Sequence, residues 1–206
     1  MIENDTYKTI SKPSDEVLFK DKNSKFFGYA FPVSNEDEIK AHIEALKKQH
    51  YSARHWCYAY QLGTQEDHFS YRANDDGEPN NSAGMPIYGQ IQSFGVTNVL
   101  IVVVRYFGGV KLGVSGLINA YKTTAHMALE ASTIITKIIS KNISVAFDYT
   151  NINKVMRIIK EKNLTIANQK MELDCEIVIS VRLQEIDAVL ETFESLFGIK
   201  TNVLND

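Results

Sequence analysis

Residues 71–126 read YRANDDGEPNNSAGMPIYGQIQSFGVTNVLIVVVRYFGGVKLGVSGLINAYKTTAH, and they decide the fold. At their centre, 98–104 is NVLIVVV, apolar without interruption after Asn98. A strand with one wet face alternates in polarity, whereas an unbroken run of this length is expected of a strand covered on both faces. Upstream, the Asp-Gly pair and the Asn/Pro cluster of 74–82 (NDDGEPNNS) dictate a tight loop. Between loop and strand, Ser82-Ala83-Gly84-Met85-Pro86 can open a helix through Ile87, Gln90 and Ile91 to Phe94, stopped by Gly95. Downstream, the glycine-rich run 105–116 leads into a long amphipathic helix. Gly116 or Leu117 opens it, and Ile118, Tyr121, Ala125, Leu129 and Ala131 continue it.

Working outward towards the N-terminus, 16–19 and 25–31 read as a hairpin around a polar turn, with Pro32 ending it. Ser34 is placed to cap a helix whose first turn is acidic and whose apolar positions Ile39, Ile43 and Leu46 recur at helical spacing, ending near His50. The segment 55–60 is a strand with Trp56, Tyr58 and Tyr60 on one face and His55, Cys57 and Ala59 on the other. A short strand over 69–73 precedes the acidic loop. Working outward towards the C-terminus, 138–148 reads as strand. Thr150 caps a helix bearing Ile152, Val155, Ile158 and Ile159, and Asn163 ends it. The segments 165–173 and 176–183 are strands joined by a turn at Asp174. A helix carries Ile186, Val189, Leu190, Phe193 and Leu196-Phe197 up to Gly198, and 200–204 is the last strand. That β-α-β-β-α-β order is the split βαβ arrangement. The sequence therefore divides near Ser132 into a module over 1–132 and a second over 133–206, in the α+β class.

The bulk numbers exclude several function classes. A chain of 206 residues with 44% hydrophobic and 23% charged residues is that of a globular protein. Its net charge of −3 lacks the basic excess of a strong non-specific nucleic-acid binder, though a local basic patch is compatible with it. The two cysteines, Cys57 and Cys175, have no ligand spacing and point to a reducing compartment without a zinc site. The N-terminus lacks the basic and apolar regions of a signal peptide, and no apolar run has membrane-spanning length. The expectation is a cytoplasmic protein.

Candidate functional residues fall in two groups. Asp75, Asp76 and Glu78 place three carboxylates in one loop. They could bind a hard cation or, more simply, cap turns and pair with Arg72 or Arg105 in contact with solvent; the spacing is not that of an EF-hand and favours the second reading, with no metal. His55 is either a histidine packed at a strand edge or a polar group facing a cleft beside them. In the other group, Gly108, Gly109, Gly113 and Gly116 sit between a buried strand and a helix. There, glycines let backbone N–H groups approach an anion, and Arg105 and Lys111 add positive charge beside the aromatic Tyr106. Equally, these glycines could serve only chain reversal and close packing. The pattern is neither a Walker loop nor GxGxxG.

The runs DDGEP…AG.PI and NV..VV.RYFGG.KLG..GL..AY resemble the signature of the IMPACT/YigZ family, closely over 54–126. The resemblance implies a ribosomal protein S5 domain 2-like N-terminal domain, a βαβ-rich two-layer unit, followed by a ferredoxin-like C-terminal domain. The family's eukaryotic members act in translational control by binding the activator of the general-control kinase through an extra N-terminal module. No such module is present in this sequence, so that partner is not carried over. Bacterial members imply RNA or the ribosome as partner; a protein partner in translation control is the other expectation, and neither a membrane nor a cofactor is expected. Departures from the family pattern are Asn74, Asn80-Asn81-Ser82, Val104, Ser115 and Asn119. The last removes a positive charge from the helix start and weakens the anion reading. The resulting expectation is a non-enzymatic binding protein linked to translation regulation that works through 75–79 and 105–116. The alternative is an enzyme acting on a phosphate-bearing small molecule with a cation on the acidic loop. A third reading makes the motif a protein-interaction surface.

Overall fold

A computed structural model describes residues 5–65, 69–172 and 174–204. The elements run β1 (Thr6–Ile10), β2 (Val17–Asp21), β3 (Ser24–Pro32), α1 (Glu36–Gln49), β4 (His55–Leu62), β5 (Ser70–Asn74), α2 (Gly84–Phe94), β6 (Val99–Tyr106), α3 (Gly113–Glu130), β7 (Ile134–Ile138), β8 (Ser140–Asp148), α4 (Ile152–Glu161), β9 (Thr165–Lys170), β10 (Asp174–Arg182), α5 (Ile186–Glu194) and β11 (Ile199–Val203). The class is α+β, as expected. Two compact units divide the chain. The first is Tyr7–Lys137, and the second joins Asp5 and Thr6 to the residues from Ile138 onward. The contact boundary thus falls past Ser132, because β7 pairs with β1 in a two-stranded sheet. Neither of those short strands is foreseen from the sequence: most of their residues stay exposed or half-buried, so their apolar pattern is weak.

In the first unit a five-stranded sheet has the order β2-β3-β6-β4-β5, with antiparallel neighbours throughout. The central β6 explains the arrangement. All of Val99–Val104 is fully buried. Val99, Ile101 and Val103 pack in a core with Ile87 and Ile91 of α2 and Leu117, Tyr121 and Leu129 of α3. Leu100, Val102 and Val104 pack in another with Ile39 and Leu46 of α1 and with Tyr29 and Tyr60. Each buried aliphatic side chain contributes about 1.5–3 kcal/mol, so β6 anchors both cores. Helices on both faces make three layers rather than the two that the resemblance implies, and an uninterrupted apolar strand demands that double cover. The facing of β4 is as expected: Cys57 and Ala59 belong to the first core, and Trp56, Tyr58 and Tyr60 to the second.

Local boundaries differ in instructive ways. Asn35, not Ser34, caps α1, its side chain accepting from the Glu38 N–H at 2.9 Å. Ser34 donates instead to the Glu38 carboxylate from both its hydroxyl and its backbone N–H, a reciprocal capping box shifted by one residue. Helix α2 has the expected limits and Gly95 ends it in the left-handed region at φ 62°. Helix α3 starts one turn early, at Gly113, because its first turn contributes no core residue before Leu117.

The second unit has the strand order β11-β8-β10-β9, all antiparallel, which is the ferredoxin-like order. One sheet face, with Ile143, Val145, Phe147, Ile177 and Ile179, packs on Val155 and Ile158 of α4 and Val189 and Phe193 of α5. The register puts Asn142, Ser144 and Ala146 opposite Ser180, Val178 and Glu176 on the other face. Two expectations fail locally. A 3-10 turn, Tyr149–Asn151, replaces the Thr150 cap, and Phe197 lies beyond α5, wholly exposed, because that helix ends at Glu194. Asp174 opens β10 rather than forming a turn, and Leu173 lies outside the described residues.

This unit is closed by residues from the N-terminus. The Asp5 carbonyl accepts from Ile139 N–H at 2.7 Å, and the buried Asp5 carboxylate accepts from Nε and Nη2 of Arg182. The hydrogen bond from Arg182 holds the Asp5 carboxyl below its ordinary value. Its folded pKa is depressed, so its contribution to stability is present above the unfolded carboxylate pKa and is lost as pH falls through the folded value. Chemical denaturation followed across an acid pH series will show a steeper loss of stability in the wild type than in Asp5→Asn, which already lacks this contribution at neutral pH. Parallel curves would remove the pair from the account.

Candidate functional site

Three elements bring the two sequence motifs together. The loop after β5 carries Asp75, Asp76 and Glu78, the end of β6 carries Arg105, and α3 carries Tyr121. Antiparallel register puts His55 directly opposite Arg105 on neighbouring strands, on the α2/α3 side of the sheet. From the loop, Glu78 Oε1 lies 2.5 Å from Arg105 Nη1 and accepts a hydrogen bond from the Tyr121 hydroxyl at 2.8 Å. The side chains of Arg105 and Glu78 are 7% and 4% exposed. The guanidinium also lies 5.5 Å from the ring centres of Phe26 and Phe107, and its Nε has no partner among the described residues. A buried charge is stable only when paired and hydrogen-bonded, and this one has both kinds of partner.

The other acids are also engaged. Asp75 Oδ1 accepts from the N–H groups of Ala83 and Gly84, and Oδ2 from that of Asn81. It caps α2 from a position well upstream, where the residue next to the helix, Ala83, supplies no side-chain cap. A Cβ on Gly84 would lie 2.5 Å from the Asn74 backbone N, so glycine permits this close seating. Asp76 Oδ2 accepts from Trp56 N–H at 2.7 Å, and the Asp76 carbonyl accepts from Nδ1 of His55 at 2.8 Å. A carbonyl cannot donate, so Nδ1 carries the proton and a neutral ring leaves Nε2 bare. Cys57 donates to the Asp75 carbonyl at 3.0 Å and sits 3.3 Å from the Tyr121 hydroxyl. Burial pushes both the Cys57 thiol and the Tyr121 phenol up, so both are neutral at physiological pH and Cys57 is no thiolate nucleophile.

The remaining sequence candidates separate. Arg72 lies opposite Tyr60 on β5, on the α1 side of the sheet and away from Arg105. Tyr106 also faces that side. Its hydroxyl lies 3.0 Å from His50 Nδ1, and His50 Nε2 lies 2.6 Å from the Tyr29 hydroxyl, which donates to Glu16. With the Tyr29 hydroxyl hydrogen turned towards Glu16, His50 Nε2 donates to Tyr29 and Nδ1 accepts from Tyr106; burial, which lowers the His50 pKa, favours that neutral ring. Gly108 is a packing residue: a Cβ there would fall 2.1 Å from the carbonyl carbon of Asn23, and its N–H donates to Ser24 Oγ. Gly109 and Gly113 adopt φ 86° and 77°. At Gly116 a Cβ would meet Leu112 Cβ at 2.9 Å. Lys111 stays exposed in the loop.

Asp75, Asp76, Glu78, His55 and Arg105 therefore converge, while Arg72 and Tyr106 do not join them. Sequence reasoning missed Tyr121 as the third member of the ion pair, although its i+4 spacing with the core residues Leu117 and Ala125 puts it on the inner stripe of α3. As the simpler reading of the loop has it, the acids cap and pair with Arg105; Glu78 does so out of solvent, while Asp75 and Asp76 are half-buried rather than exposed. Both oxygens of Asp75, Oδ2 of Asp76 and Oε1 of Glu78 are occupied by N–H, guanidinium and phenol donors, and no group of three or more His, Cys, Asp or Glu among the described residues could hold a metal ion.

A two-unit α+β chain, with one loop cross-linked to strand and helices by buried polar groups, has close counterparts. A solved structure described as that of a hypothetical protein superposes with TM-score 0.75 over 98% of this chain and 99% of that one, at 23% identity, and establishes the shared fold. The Impact N-terminal domain profile matches residues 22–129. The chain is 30% identical to IMPACT family member YvyE of Bacillus subtilis over 96% of its length and 90% of that protein, and 36% identical to IMPACT family member YigZ of Escherichia coli over 57% of each. It belongs to the IMPACT family. No helix among the described residues is long and apolar enough to cross a membrane.

The cap from Asp75 has a measurable consequence. Asp75→Ala removes an acceptor from three backbone N–H groups and is expected to cost about 1–3 kcal/mol, with Asp75→Asn retaining part of it. Urea denaturation measures both; an unchanged midpoint in Asp75→Ala would mean the loop does not hold α2.

Proposed function

We propose that this chain is a non-enzymatic binding protein of translation regulation that acts in the cytoplasm. It engages RNA, the ribosome or a translation-associated protein through the surface built by 75–79 and 105–116. The observation that carries this reading is the internal use of the reactive groups. Glu78, Arg105, Asp75, Asp76 and Cys57 are bonded to one another or to the backbone, whereas a reaction centre needs groups free to reach a substrate. What the motifs leave outside is the glycine loop itself, with Phe107, Val110 and Lys111 exposed. Family membership supports the link to translation, since the resemblance attributes translational control to eukaryotic members. The second unit adds little to RNA reading of the kind that stacks bases on a sheet: the sheet face turned from its helices carries Asn142, Ser144, Ala146, Val178 and Ser180, with no aromatic among them.

Sucrose-gradient sedimentation with ribosomes tests the proposal. The full chain is expected in the ribosomal fractions at low salt, and the Val110→Ser/Lys111→Glu double variant is expected to leave them without loss of melting temperature. A wild-type chain that stays at the top of the gradient, yet is stabilised against heat by a nucleotide only when Mg²⁺ is present, would contradict it in favour of an enzyme of phosphate-bearing molecules.

A further inference from the structure

Helix α3 presents an unusual outer stripe. Val114, Ile118, Lys122, His126 and Glu130 follow at successive i+4 positions, so they share one face. The half nearest the glycine loop is apolar: Val114 is 53% and Ile118 38% exposed, and the loop just before it adds Phe107 at 52% and Val110 at 47%. Exposed apolar side chains are ordinary when scattered, but a contiguous set marks an interaction surface. The loop that presents them is held in shape, with Gly108 seated against the Asn23 backbone and Gly109 and Gly113 in left-handed conformations.

The segment that builds this ridge carries charge of one sign. From 79 to 129 the sequence contains Arg105, Lys111, Lys122 and His126 and not one Asp or Glu, in a chain whose net charge is −3. Arg105 is neutralised by Glu78 and buried, which leaves Lys111 and Lys122 as the exposed fixed charges of the segment. The first turn of α3 contains no acid and its N-cap residue, Leu112, supplies no side-chain hydrogen bond, so the positive end of the helix dipole is not offset locally.

We propose that the ridge Phe107–Val110–Val114–Ile118 docks an acidic, apolar peptide segment of a protein partner. Apolar side chains of that segment cover the ridge, and its carboxylates lie against Lys111 and the start of α3. This rests on the reading of the chain as a binding protein and names the partner's chemistry. The apolar content and the sparse cations favour this occupant over RNA. An RNA strand is held chiefly by several neutralised phosphates, and Arg105, the third cation here, is unavailable.

The test is selection of a random-peptide display library on the immobilised full chain, followed by fluorescence anisotropy of the selected peptides. The expected sequences combine Asp or Glu with Leu, Ile, Phe or Trp. Their affinity should fall by at least about tenfold in Val114→Ser and in Lys111→Glu, with melting temperatures unchanged, and a control substitution on the second unit, Lys141→Glu, should leave it intact. Selected peptides without acidic residues, or binding that ignores both ridge variants, would overturn the proposal. So would a single-stranded oligouridine that displaces the peptides and itself loses affinity in Lys111→Glu; the ridge is then an RNA site. If no acidic peptide is selected but the chain still sediments with ribosomes, this inference fails alone. If sedimentation is lost as well, the binding reading fails with it.

Discussion

A guanidinium and a carboxylate buried together, Arg105 and Glu78, tie the acidic loop to the sheet. Taking two ions from water costs several kcal/mol for each unless geometry and further hydrogen bonds offset it. Here the offset comes from three separate parts of the chain: Arg105 from the end of β6, Glu78 from the loop after β5, and Tyr121 from the third turn of α3. The position of Glu78 carries the rest of the loop with it. Asp76 is then set against the Trp56 N–H and His55 at the start of β4, and Asp75 against the first amides of α2. One short loop thus fixes the relation of two helices and two strands, and the carboxylates that look like chemistry in the sequence are its fasteners.

How far the sequence disclosed this depends on the range of each interaction. The double cover of β6 is legible because apolar periodicity is local, and so are the limits of α2, where Gly95 marks the stop. The faces of β4 and the ferredoxin-like order of the second unit follow from the same local patterns. Strands β1 and β7 escape because five-residue segments with few buried side chains carry no clear period; they exist through pairing with each other. The start of α3 is misread because its first turn has no core residue. The caps show the same limit. Asn35 and Ser34 differ by one position, and local rules cannot choose between them, while Asp75 caps a helix from a distance those rules do not search.

The candidate site was legible as a neighbourhood rather than as a set of roles. Two motifs far apart in sequence do meet at His55, Glu78 and Arg105, and the antiparallel register of β4 and β6 is the reason. Arg72 and Tyr106 fall away because alternate residues of a strand face opposite sides, a parity that motif spacing alone does not reveal. Arg105 reads as an anion ligand in the sequence and is a buried structural cation in the fold. Tyr121 had no visible role until a partner three elements away supplied one. The glycine run has both of the functions that the sequence left open, with Gly108 for close packing and Gly109 and Gly113 for chain reversal, and it displays Phe107, Val110 and Lys111 outward.

The central claim is that Arg105, Glu78 and Tyr121 form a structural frame. A double-mutant cycle between Arg105→Met and Glu78→Gln, read by equilibrium denaturation with Tyr121→Phe as a third corner, tests it most directly. Each single substitution at the ion pair should cost about 3–5 kcal/mol, because it leaves one buried charge without its partner. The double variant should cost about 1–3 kcal/mol less than the sum. Single costs within about 0.5 kcal/mol of zero, the size expected of surface positions, with no coupling between them, would contradict the frame and return these residues to the list of groups free to act on a ligand.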